Sequence, residues 1–125
     1  MEYTQLERAV LDWMSEHVDI PRLKEQIQRA VPTDREYTGC GSFTTLAASP
    51  DLPPVECPSP ISGPAIEAEG IEYGGGALLC LDDTGHITQL EMYAYGDRFS
   101  DSITTFVLRE YGTGHRQAGD NCRHR

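Results

Sequence analysis

The chain has 125 residues, an apolar share of 38% and a formal net charge of -10, with twenty acidic residues against ten basic ones, Lys24 being the one lysine. This length suits one core rather than two, and the apolar share argues against wholesale disorder. Such acidity opposes contact with phosphate backbones, so direct nucleic-acid binding is not expected and a basic protein partner is the better match.

The first residues, MEYTQLERAV, lack the basic-then-apolar order of a secretory signal, and no run approaches the ~18 apolar residues of a membrane span. A cytoplasmic protein with no membrane contact is the expectation. Thr4 and Glu7 have capping-box spacing, which predicts a helix over roughly residues 5–17 with Leu6, Val10, Trp13, Met14 and His17 on its apolar face. Asp19 and Pro21 restart the chain into a second helix, whose buried stripe is Leu23, Ile27, Ala30 and Val31 and whose end is Pro32.

From Glu36 to Ala47 the β-branched and aromatic residues predict one strand, bent or bulged at Gly39 or Gly41. Six prolines between Pro50 and Pro64 make the stretch of about residues 48–64 an extended surface loop. Ala65–Tyr73 resumes as a strand whose register shifts at Gly70, and Gly74, Gly75 and Gly76 then allow a sharp change of direction. The apolar run ALLCL, the turn residues Asp82, Asp83, Thr84 and Gly85, and the return HITQLEMYAY form a central hairpin. Residues 98–111 fit strand and helix templates in part, a final strand being favoured, and 112–125 form a flexible tail outside the 1–111 domain. The predicted fold is α+β, two N-terminal helices packed on a mainly antiparallel sheet of about four to five strands.

Candidate chemistry is sparse. Cys40, Cys57, Cys80 and Cys122 lack C-x-x-C spacing, so reduced thiols are expected and no metal site or cofactor is predicted. His115, Cys122 and His124 are close in sequence but sit in a tail with no scaffold, and Asp82 and Asp83 read as turn residues rather than a calcium loop. A catalytic alternative would join Glu91, His86 and Cys40. Glu67 and Glu69 alternate on one strand face, where paired carboxylates serve acid and base roles or simply face water. Glu91 lies between Leu90 and Met92 on a central strand, and with Tyr73, Tyr93 and Tyr95 it makes one polar-aromatic surface suited to recognising another protein.

The segments REYTGCGSFTTL and IEAEGIEYGGGALLCLDDTGHITQLEMYAYGD resemble a family of small uncharacterised bacterial proteins, over roughly residues 5–111. Tyr37, Thr38, Gly39, Gly41, Phe43 and Thr44 fit its first motif, with Ser42 where an aromatic residue is expected. Leu90, Glu91, Tyr93, Tyr95, Gly96 and Asp97 fit its second. The resemblance implies a shared fold and no activity. At the level of fold the chain also resembles small immunity proteins that neutralise toxins. The function expected is a protein-binding module of inhibitor or immunity type. The alternatives are a small-molecule enzyme with a site around Glu91 and a structural, self-associating subunit.

Overall fold

The structure is a computed structural model and describes residues 1–96 and 98–110. Two helices, α1 (Gln5–His17) and α2 (Leu23–Arg29), precede six strands: β1 (Val31–Tyr37), β2 (Gly41–Ala47), β3 (Ile61–Ala68), β4 (Ile71–Leu81), β5 (Ile87–Ala94) and β6 (Phe106–Arg109). They form one antiparallel sheet in the order β1-β2-β5-β4-β3-β6. The fold is therefore α+β, with six strands in place of the expected four to five.

The α1 start is the predicted capping box: Glu7 N donates to Thr4 Oγ1 at 3.0 Å and Thr4 N donates to Glu7 Oε1 at 2.8 Å. Leu6, Val10, Leu11 and Met14 are buried, whereas Trp13 is half-buried and His17 lies outside the core, stacked on Trp13. The helix lies across β3 and β6, while α2 packs on α1, so the two helices do not share the sheet as expected.

Gln26, buried on α2, ties three segments together. Its Nε2 donates to the carbonyls of Pro53 and Gly85, each at 3.0 Å, and its Oε1 accepts from Ile87 N at 2.8 Å. Val55 N also donates to Gly85 O at 2.8 Å. The proline-rich segment is thereby held against the β4–β5 turn. It is shorter than expected, because Ile61 already begins β3 and Pro64 falls at a register shift within that strand.

Three sequence expectations are corrected in the strands. Helix α2 ends at Arg29, and Val31 and Pro32 belong to β1; Pro32 is tolerated there because β1 is a sheet edge, where a missing N–H need not break a ladder. The strand expected over residues 36–47 is instead the hairpin β1–β2, closed by Thr38 N donating to Gly41 O at 3.0 Å across Gly39, whose φ is +94°. Glycine adopts that backbone without the clash a side chain would bring.

The third correction concerns residues 65–76. The chain turns around Gly70, between β3 and β4, and the three glycines continue inside β4 without a change of direction. Gly75 is required there for close approach, since a Cβ on it would stand 2.0 Å from Tyr93 O. The central hairpin is as expected, with Ala77, Leu78, Leu79 and Cys80 opposite Met92, Glu91, Leu90 and Gln89. A strand does close the 98–111 stretch, but it is confined to Phe106–Arg109. The tail expected over 112–125 lies outside the described residues.

Register defines the two sides of the sheet, because directly paired residues project the same way. Leu46, Thr44, Leu90, Met92, Leu79, Ala77, Ile61 and Ile66 project toward the helices and are buried. Ser42 projects the same way, buried at 1% exposure with an Oγ that has no hydrogen-bond partner among the described residues.

Candidate interaction face

The opposite side of the sheet carries no helix among the described residues, and its composition follows from the alternation within each strand. One row runs Glu36, Phe43, Glu91, Leu78 and Ser62 across β1, β2, β5, β4 and β3. A second row runs Asp34, Thr45, Gln89 and Cys80, and a third Gly41, Tyr93, Gly76, Ala65 and Arg109. Glu67 and Val107 form a pair nearer the β6 edge. Carboxylates and aromatic rings thus share one surface.

Glu91 occupies the middle of this face. It is half-buried, and it makes no hydrogen bond or ion pair among the described residues. Burial pushes the neighbouring Cys80 thiol above its usual range, and the Glu91 carboxylate adds to that shift. Tyr93 and Tyr95 pack edge to face with ring centroids 5.8 Å apart, and Tyr95 is 59% exposed.

The other residues expected at a site are distributed differently. Tyr73, 70% exposed, stands by Gly96 rather than joining the Tyr93–Tyr95 pair. Glu67 pairs with Arg109 at 3.1 Å, both side chains being largely exposed. Glu69 is in the β3–β4 turn and does not share the strand face of Glu67. There it lines an open groove of about 950 Å³ together with Tyr37, Glu72, Arg98 and Asp101.

Cys40 and His86 flank opposite ends of β5. Cys40 is exposed in the β1–β2 turn, where its carbonyl accepts from Ala94 N, while His86 directly precedes Ile87. The length of β5 separates them by roughly 20–25 Å at the usual strand rise, so Glu91, His86 and Cys40 do not assemble. His86 instead belongs to the turn: its Nδ1 lies 2.9 Å from Thr84 Oγ1 and its Nε2 2.9 Å from Leu52 O. Asp82 caps that turn by accepting from the backbone N–H groups of Thr84 and His86, and hydrogen bonding led by His86 N lowers its pKa.

Among the described residues, the ionisable group most enclosed by protein is Glu7, on the helix side. Its Oε1 accepts from Thr4 N and from the Arg35 guanidinium at 2.6 Å, and its Oε2 accepts from Arg35 Nε at 2.8 Å and Thr44 Oγ1 at 2.5 Å. Burial alone would push this carboxyl up, but the bonds from Arg35, Thr44 and Thr4 outweigh it and hold it below the usual range. Every lone pair is engaged and the side chain is 1% exposed, so Glu7 joins α1 to β1 and β2 rather than performing chemistry.

Sequence reasoning missed Asp34, Glu36, Phe43 and Leu78 as members of the face. Alternation within GSFTTLA marks Phe43, but Asp34 and Glu36 become visible only once residues 31–37 are read as a strand. Among the described residues, no group of His, Cys, Asp and Glu side chains is arranged to hold a metal ion, and no helix is long and apolar enough to cross a membrane. Comparison with protein-family models, curated proteins and solved structures finds no match to this chain.

Proposed function

We propose that the chain is a cytoplasmic protein-binding module of inhibitor or immunity type, and that it covers a basic partner with the face of its sheet opposite α1 and α2. The observation that carries this reading is the placement of Phe43, Tyr93 and Tyr95 among Asp34, Glu36, Glu67 and Glu91 on that face. Aromatic side chains supply rigid contact area, and the surrounding carboxylates favour encounter with positive surfaces. The only described basic residue in those rows is Arg109, already paired with Glu67. Two copies meeting face to face would bring like charges together, which opposes self-association through this surface.

Separation of His86 from Cys40 weighs against the enzyme reading around Glu91. Co-expression with the product of the adjacent gene, followed by capture at low and high salt, tests the proposal. A complex weakened by salt and by Tyr93→Ala supports it. A neighbouring product that does not bind removes the immunity version, and binding that is indifferent to Tyr93→Ala and Glu91→Gln moves the contact off this face.

A further inference from the structure

Resting on that protein-binding reading, we infer that Glu91 with Phe43 and Tyr93 forms a cradle for one arginine side chain of the partner. Phe43 lies directly across from Glu91 on β2 and Leu78 directly across on β4. Such pairs set their Cβ atoms about 5 Å apart. Tyr93 follows two residues along β5 on the same side, roughly 7 Å away at the strand rise. A half-buried carboxylate is therefore flanked by an aromatic ring on the neighbouring strand and another along its own.

No cation of the described residues pairs with Glu91. Arg35 projects to the helix side and is bound to Glu7, and Arg109 is engaged with Glu67 near the sheet edge. Glu91 itself has no hydrogen-bond or ion-pair partner among the described residues. A carboxylate partly withdrawn from water gains most from a cation that brings its own hydrogen bonds. A guanidinium meets both demands of this surroundings: its planar fork bonds a carboxylate in bidentate fashion, and its faces stack on aromatic rings. An ammonium offers the charge without the plane, so the site discriminates arginine from lysine. Asp34 and Glu36 lie on the same side, in the rows through Gln89 and Glu91, and attract the positive partner; Glu36 also pairs with Phe43, but it is exposed to water where Glu91 is half-buried.

Nuclear magnetic resonance titration of the full chain with capped Gly-Arg-Gly and Gly-Lys-Gly peptides tests this directly. The arginine peptide is expected to shift the Glu91 carboxyl and the Phe43 and Tyr93 ring signals, and to bind more tightly than the lysine peptide. Glu91→Gln should weaken arginine-peptide binding by about tenfold, the scale of one charge-assisted contact. Glu36→Gln, an exposed carboxylate in the same row, should change it by no more than about twofold. Equal affinity for both peptides, or equal losses from Glu91→Gln and Glu36→Gln, would overturn the cradle while leaving a generally acidic binding face intact.

A second arm asks whether the chain supplies its own cation. If replacing Arg116, Arg123 and Arg125 by Gln moves the Glu91 and ring signals with no peptide present, the occupant is the chain's own C-terminal segment, and the partner assignment is overturned. A partner complex that ignores every substitution on the face would instead refute the broader protein-binding reading.

Discussion

At Arg35 a single side chain neutralises a carboxylate that water does not reach. Replacing it with Met leaves the Glu7 charge enclosed, and the expected loss is about 3–5 kcal/mol of unfolding free energy, measured by denaturant titration. The pKa of Glu7 is lower in the folded chain than in the unfolded one, so the unfolded chain holds this proton more tightly. Its stabilising contribution is full above the unfolded carboxyl range and is lost as pH falls through the depressed folded value. Unfolding at a series of acidic pH values should show a flatter dependence for Arg35→Met than for the parent chain. Ser42 presents the reverse case, a buried hydroxyl without a partner among the described residues. Ser42→Ala removes a desolvated group and should raise stability by about 1 kcal/mol; a loss in the same titration would mean that the hydroxyl is satisfied after all. Cys80 reports on Glu91. Because that carboxylate adds to the rise of the thiol pKa, Glu91→Gln should make Cys80 more thiolate-like and faster to alkylate at fixed pH.

Among the elements, the β4–β5 hairpin has the clearest physical cause: an apolar strand, a turn built from Asp82 to Gly85, and an alternating return strand. Leu79 is fully buried opposite Leu90, and Leu79→Ala should cost about 2–5 kcal/mol in equilibrium unfolding. A change within error would show that its packing collapses around the lost volume. This hairpin and the capping box of α1 were legible because their signals are local. The strand β1 was not, since Pro32 carries opposite meanings in a helix and at a sheet edge, and only its position beside β2 decides between them. The glycines of β4 were misread for a related reason. A triple glycine signals a turn when nothing crowds it, but here the constraint comes from Tyr93, a residue distant in sequence whose backbone leaves no room for a Cβ.

For the molecule as a whole, a net charge of -10 is a standing repulsion that added salt screens. The thermal midpoint should therefore rise as sodium chloride increases from near zero to about 0.15 M, the range over which the screening length shortens to ~8 Å. A falling midpoint would mean that local ion pairs such as Glu7–Arg35 outweigh the global field. Glu91, Tyr93 and Tyr95 could be found from alternation along one strand, yet their companions Phe43, Asp34 and Glu36 depend on strand order, which no single segment encodes. Strand order also places β1 at the rim, where Thr33 is an extra residue in the pairing with β2 and Pro32 has no N–H. A peptide laid along that rim would meet an interrupted main-chain ladder. Recognition through the neighbouring face would then be read in side chains, and methylating the backbone nitrogens of a bound partner peptide would leave its affinity largely unchanged.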